Sequence, residues 1–218
     1  MAEFPPKPIS PQEFIEQYIP KAFAEAELPD ELKQAEAKLG ILLQGDGGGR
    51  WLMRLDQGSL AIDSGTHDGA SMTIVQSVDD WRGALWEGRG GAIGKQATAI
   101  FRPGEQAQSA AGVAGAGAPS LASLKQLEAL DGLLRMVVTG GDGGDWAVGM
   151  KLGSGDVPEE ATCTVTVTAE DAAAMESGEL DPMQAFMSGR IQIAGDMTLM
   201  MQMQAIQMQA AAAAQSSS

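Results

Sequence analysis

Two stretches of the chain repeat one hydropathic pattern. The apolar run Ile41-Leu42-Leu43 breaks at Gly45-Asp46-Gly47-Gly48-Gly49 and resumes at Trp51-Leu52-Met53, while Met136-Val137-Val138 breaks at Gly140-Gly141-Asp142-Gly143-Gly144-Asp145 and resumes at Trp146-Ala147-Val148. Glycine enters positive φ without steric cost, so each stretch predicts two antiparallel strands joined by a tight turn. Downstream, residues 70–77 and 161–168 alternate in polarity and are rich in β-branched side chains, which predicts a half-buried strand in each copy. Both strands run into an acidic helix start, Ser77 before Val78-Asp79-Asp80-Trp81 and Thr168 before Ala169-Glu170-Asp171-Ala172. Ser77 and Thr168 suit the N-cap, where a side-chain oxygen accepts from the free N–H groups of the first turn, and the acids behind them complement the helix dipole. A helix is expected ahead of each hairpin, over residues 11–38 and 120–130. The spacing of about 95 residues is too long for a solenoid repeat, so the pattern predicts two copies of one small α+β module.

The copies part after the acidic helix. The first continues through Gly88-Arg89-Gly90-Gly91-Ala92-Ile93-Gly94-Lys95 to an expected strand at Ala97-Thr98-Ala99-Ile100-Phe101, and the second has a longer, Met-containing string from Gly178 to Met197. Between them, residues 103–119 are rich in Ala and Gly and predict a linker. The domains expected are therefore 11–102, a linker over 103–119, and 120–210. A last helix follows, in which Asp196 is the only charged residue from Ile191 to the end. At ~100° per residue, Leu199, Met203, Ile206 and Ala210 share one side, and Met197, Met201 and Met208 the other. A helix apolar on two sides needs two partners: its own sheet, and a ligand, the other module or another chain.

Composition narrows the chemistry. Fourteen Lys and Arg against 29 Asp and Glu leave a net charge of −15, which argues against nucleic acid as a partner and against more than transient contact with an anionic membrane. The 13 methionines outnumber the aromatic residues (four Trp, one Tyr, five Phe), and eight of them fall between Met175 and Met208, so the adaptable, polarizable side chains are concentrated in one region. With no leader-like apolar run near Met1 and a lone cysteine, Cys163, a reducing, cytoplasmic setting is expected.

Candidates for catalysis are few. The single histidine, His67, lies in the polar turn Thr66-His67-Asp68-Gly69 and is expected to be solvated. Cys163, between Thr162 and Thr164, reads as a small core hydrophobe with no base to activate it. The glycine-rich turns lack the Lys-Ser/Thr of a phosphate loop and lead into strands, where a phosphate cradle needs a helix. Trp51 and Trp146 occupy matching hairpin positions and are expected to pack. Trp81 and Trp86, five residues apart, are not expected to share a helix face. Ala172 stands where Trp81 stands in the first copy. No metal site, cofactor or catalytic residue is expected.

Three strings carry a resemblance. Gly178-Glu179-Leu180-Asp181-Pro182, then Ala185-Phe186-Met187-Ser188-Gly189-Arg190, then Gly195-Asp196-Met197 resemble the end of the sterol carrier protein 2 (sterol-binding) domain, and the second hairpin and the Thr-Val-Thr-Val-Thr strand fall in that family's order. The resemblance covers residues 120–209, with 11–88 as a diverged copy. It implies two modules, each a mostly antiparallel sheet of about five strands covered by helices, with an apolar cavity between sheet and helices that takes sterols, acyl chains or isoprenoids and performs no reaction of its own. The residues expected at such a Met-lined site in the C-terminal module are Met175, Leu180, Phe186, Met187, Ile191, Met197, Leu199, Met200, Met201 and Met203. An apolar lipid is then the expected partner, with an intrachain pseudo-dimer or a homodimer as the expected assembly. Two other readings share these residues: a dimerisation or interaction module with collapsed cavities, and an accessory that presents an apolar substrate, such as a quinone precursor, to an enzyme.

Overall fold

Period-two alternation makes strands of both hairpins, and the strands run further than the apolar runs that announce them. In the computed structural model, which describes residues 3–26, 33–34, 36–98, 101 and 126–216, the first hairpin is β1 (Glu36–Gln44) and β2 (Gly49–Asp56), followed by β3 (Ser59–Ser64) and β4 (Met72–Ser77). The second is β5 (Gly132–Thr139) and β6 (Trp146–Leu152), followed by β7 (Cys163–Thr168) and β8 (Ile191–Gly195). Helix α1 (Pro11–Glu13) passes through a π-helical turn (Phe14–Tyr18) into α2 (Ile19–Glu25), and α3 (Val78–Arg82) ends in a second π-helical turn (Gly83–Glu87). Helices α4 (Gly91–Thr98), α5 (Ala169–Glu176), α6 (Pro182–Met187) and α7 (Met197–Ser216) complete the described elements.

The expected pair of roughly five-stranded sheets is replaced by one sheet of eight, in the order β3-β2-β1-β4-β6-β5-β7-β8. It is mostly antiparallel; β1 with β4 and β5 with β7 are the parallel pairs. The two halves join where β4 meets β6, at Met72↔Leu152, Thr73↔Lys151, Ile74↔Met150 and Val75↔Gly149. The physical reason lies in residues 153–162. Where β3 follows β2 in the N-terminal half, the segment after β6 holds Gly153, Gly155, Pro158 and three acids and forms no strand, because glycine and proline weaken a ladder. The outer edge of β6 is thereby left free, and β4 takes it.

One face of the sheet carries the helices. On it Leu134, Met136 and Val138 of β5, Cys163, Val165 and Val167 of β7 and Val148, Met150 and Leu152 of β6 form one core with Ala172, Met175, Ala185, Leu199, Met200 and Met203. A second core joins Ile41, Leu43, Trp51 and Met53 to Phe14, Ile15, Ile19, Val78, Trp81 and Leu85. Both expected N-caps form: Ser77 Oγ accepts from Asp80 N at 2.9 Å, and Thr168 Oγ1 accepts from Asp171 N at 3.1 Å. Trp51 and Trp146 are both buried, the first donating to Glu16 Oε1 and the second to the Asp80 carbonyl, each at 2.9 Å.

Three of these expectations about single elements give way, and one strand has no counterpart among them. The first helix stops at Glu25, and Lys38 belongs to β1. The expected strand over 97–101 begins inside α4, whose Ile93 is buried in the core and whose Thr98 Oγ1 donates to the Gly94 carbonyl at 2.8 Å; Phe101 is buried among aromatic rings, 6.3 Å from Phe14. Trp81 and Trp86 do meet, with ring centroids 5.4 Å apart, because the π-helical turn at Gly83–Glu87 closes i→i+5 hydrogen bonds and winds more residues into each turn than an α-helix does, which brings positions five apart toward one side. Strand β3 was not anticipated, although Gln57-Gly58, both at positive φ, is a two-residue hairpin turn. The expected linker and most of the 120–130 helix lie outside the described residues.

Close approach of β1 and β4 requires Gly40. A Cβ there would stand 2.3 Å from Thr73 Oγ1. Gly40→Ala is expected to cost about 1–3 kcal/mol in urea unfolding through overpacking, and Thr73→Ala in the same chain is expected to recover part of it, a coupling that a double-mutant cycle measures.

Candidate functional site

The Met-rich end of the chain is built on the edge formed by β7 and β8. Helix α5 starts on the Thr168 cap, and Asp171, mostly buried, accepts from Thr168 Oγ1 through one oxygen at 2.9 Å and pairs with Arg190 Nη1 through the other at 2.8 Å. This staple ties the start of α5 to the turn before β8. Helix α6 opens on Asp181, whose Oδ1 accepts from Met183 N and Gln184 N at 2.9 and 3.0 Å, with Pro182 at the first helical position. Asp196 does the same for α7, accepting from Thr198 N at 2.8 Å while its own N–H donates to the Thr162 carbonyl at 2.8 Å. Hydrogen bonds to Thr198 hold the Asp196 carboxyl below its ordinary pKa.

The expected site residues divide in two. Met175, Ile191, Leu199, Met200 and Met203 are buried in one continuous apolar cluster, with Leu180 packed against it. Phe186, Met187, Met197 and Met201 stand in solvent, at 41%, 81%, 40% and 56% exposure. The two stripes of the last helix are real: Leu199 and Met203 face the sheet with Ile206 beside them, and Met197 and Met201 face away. Met200 joins the buried side. Met208 and Ala210 lie beyond the side chains described.

Several residues of the cluster were not among the expected set. Cys163, Val165 and Met136 supply its floor, a consequence of the β5 and β7 alternation that the sequence does show. Met183, four residues before Met187 on α6, is 66% exposed and extends the solvent-facing apolar surface. The helical i,i+4 spacing is the signal that would have found it.

Both Cys163 and His67 are buried. Cys163 is fully buried, and desolvation first, then the Asp196 charge, pushes its thiol pKa up, which keeps it protonated and poorly nucleophilic. His67 overturns its expectation of a solvated turn: it is 5% exposed, and residues 156–159 of the segment after β6 stand across a cavity from it. Among the described residues no cluster of His, Cys, Asp or Glu could hold a metal ion, and no helix is long and apolar enough to cross a membrane.

Residues 115–208 match the model of the SCP-2 sterol transfer family. This part of the chain is an SCP-2 family domain. Sterol carrier protein 2 of Rattus norvegicus is 36% identical over 87 residues, which make up 37% of this chain and 16% of that protein. Hydroxysteroid dehydrogenase-like protein 2 of Homo sapiens is 37% identical over 67 residues, 28% of this chain and 16% of that one. The chain thus spans about a sixth of the length of these curated relatives. Among solved structures, sterol carrier protein domain 2 of Helicoverpa armigera is 26% identical with a TM-score of 0.29, covering 41% of this chain and 74% of that one. Sterol Carrier Protein 2 Like 2 of Aedes aegypti is 22% identical with a TM-score of 0.26, covering 34% and 80%. The SCP-2 match takes in β5 to β8, α5, α6 and the first part of α7, and so contains every residue of the expected site.

The burial of Cys163 generates a direct test. In the native protein it is expected to resist a thiol-specific chromogenic reagent, and to react fully once the protein is unfolded in denaturant. Rapid reaction under native conditions would show that the β7 face of the cluster opens to water.

Proposed function

We propose that the SCP-2 domain binds and carries a long apolar lipid, a sterol-like, fatty acyl or isoprenoid molecule, as a non-catalytic cytoplasmic carrier. The observation that carries this reading is the coincidence of the SCP-2 match with α7, a 20-residue helix without a charged side chain that lays one Leu/Met stripe on the sheet and leaves a second in solvent. The ligand would sit over Met175, Leu180, Ile191, Leu199, Met200 and Met203, with Phe186, Met187, Met197 and Met201 closing over it. Burying a few hundred Å² of lipid at roughly 25 cal/mol per Å² supplies several kcal/mol without a single specific hydrogen bond, and flexible methionines adapt to varied apolar shapes.

The N-terminal half, on this reading, is a diverged copy of the same module that no longer takes a ligand. The recurrent strand–turn–strand, the parallel β1/β4 and β5/β7 pairs and the matched caps at Ser77 and Thr168 support the kinship. Its interior supports the loss of ligand. Trp81, four residues past its cap, packs edge-on against Phe14 at 5.3 Å and against Trp86, with Phe4, Tyr18 and Phe101 around them. The matching position of the C-terminal half is Ala172.

Titration of delipidated protein with a fluorescent fatty acid tests the proposal. Saturable binding is expected, and its absence would sink the carrier reading in favour of a purely structural module. Met187→Gln and Met201→Gln, both at exposed positions and therefore expected to leave folding intact, should each weaken binding by about fivefold, equivalent to about 1 kcal/mol of apolar contact. Unchanged affinity in both variants would remove the outer methionines from the site.

A further inference from the structure

The sheet face that carries no helices holds a cavity of about 320 Å³, at the small end of the range for ligand sites. One wall comes from the N-terminal half: Leu42 and Gln44 of β1, Arg50 of β2, and His67 in the turn before β4. The other is the segment after β6, residues 156–159. Leu42 and Arg50 pair across β1 and β2 and so point to the same side.

Three features of this cavity are unused by the fold. His67 is 95% buried, yet its Nδ1 has no hydrogen-bond partner. A buried ring nitrogen without a partner is destabilising, and native structures keep such groups where water, an ion or a ligand completes them. Arg50 makes no ion pair among the described residues, although Arg54, Arg89, Arg190 and Lys151 all do. Asp156 and Glu159 likewise have no described cationic partner, although they line the same cavity as Arg50. The two walls therefore carry opposite charges that do not close on each other. Leu42 on one wall and Val157 and Pro158 on the other add apolar surface to the lining.

We propose that this cavity is a binding site for a small zwitterion with an apolar body, the chemistry of a free aliphatic α-amino acid. Its carboxylate pairs with Arg50, its ammonium group with Asp156 and Glu159, and its side chain packs on Leu42, Val157 and Pro158. His67 completes the polar shell through Nδ1. A ligand of one sign satisfies one wall and is repelled by the other, so the mixed lining selects for both charges in one molecule. Because the walls come from the two halves of the chain, the ligand also bridges them. The site lies on the opposite face of the sheet from the methionine cluster, so it stands or falls independently of lipid binding.

His67 is the only histidine in the chain, and its imidazole resonances in untagged protein report on this cavity alone. Titration with L-leucine is expected to move them saturably. Two compounds that each keep the leucine skeleton but only one charge, 4-methylpentanoate and 3-methylbutylamine, are expected to bind at least about tenfold more weakly. Arg50→Gln, at an exposed position, should weaken leucine binding by a similar factor while leaving the urea midpoint of the free protein unchanged. His67 signals that stay fixed throughout the leucine titration would overturn the proposal. So would equal affinity for 4-methylpentanoate, which would mark a plain anion site, or unchanged leucine affinity in the Arg50 variant.

Discussion

Four residue pairs between β4 and β6 decide the architecture. They convert two four-stranded pieces into one sheet, and they exist because the segment after β6 cannot form a strand of its own. A free β6 edge would present unpaired N–H and C=O groups to solvent and invite association. Strand β4 covers that edge with a strand from the same chain. Contacts along the seam reinforce the pairing: Gln76 Nε2 donates to the Ala147 carbonyl at 3.2 Å, Gly153 N to the Ser71 carbonyl at 3.0 Å, and Trp146 Nε1 to the Asp80 carbonyl at 2.9 Å. Gly90, at positive φ, lies so close to the Trp146 indole that a Cβ would stand 2.6 Å from it. The turn after α3 can therefore rest directly on the C-terminal half.

The two sides of this seam fill their interiors differently. Rings dominate the N-terminal core, where Phe14 alone meets Phe4, Tyr18, Trp81, Trp86 and Phe101 within 6.3 Å. Rigid rings in edge-to-face contact make a well-determined core with little room for adjustment. The C-terminal core uses Met, Leu, Val and Ala under helices that leave further methionines in solvent. Flexible side chains can rearrange around a guest at small cost. The two halves thus differ in packing material, rings on one side of the seam and flexible aliphatic and thioether side chains on the other.

The bare face of the sheet is organised by a buried cation. Lys151, 2% exposed, reaches Asp131 Oδ1 and the Leu152 carbonyl, each at 2.8 Å, and the Ser154 carbonyl at 3.2 Å. A buried ammonium is tolerated only when its donors are satisfied, and here satisfying them pins the start of the segment that runs on to Asp156 and Glu159. The Lys151 ammonium in turn holds the Asp131 carboxyl below its ordinary pKa.

Local signals were legible in the sequence because they depend on neighbours in the chain. The hairpins, the Ser77 and Thr168 caps and the two stripes of α7 rest on φ preferences, short-range hydrogen bonds and periodicity. The meeting of Trp81 with Trp86 was not legible, since a π-helical turn is a local distortion held by the aromatic packing around it. Burial of His67 was not legible either: a polar turn looks solvated until a segment some ninety residues away lies across it. The sequence alone therefore determined the two hairpins, the strands and capped helix starts that follow them, and the concentration of methionine in one region. Only the tertiary structure decided that the halves share one sheet, which methionines face inward, and that a cavity of mixed charge forms on the other face. Those outcomes depend on which strand edge is left free and what covers it, and no property of a residue's near neighbours in sequence encodes that.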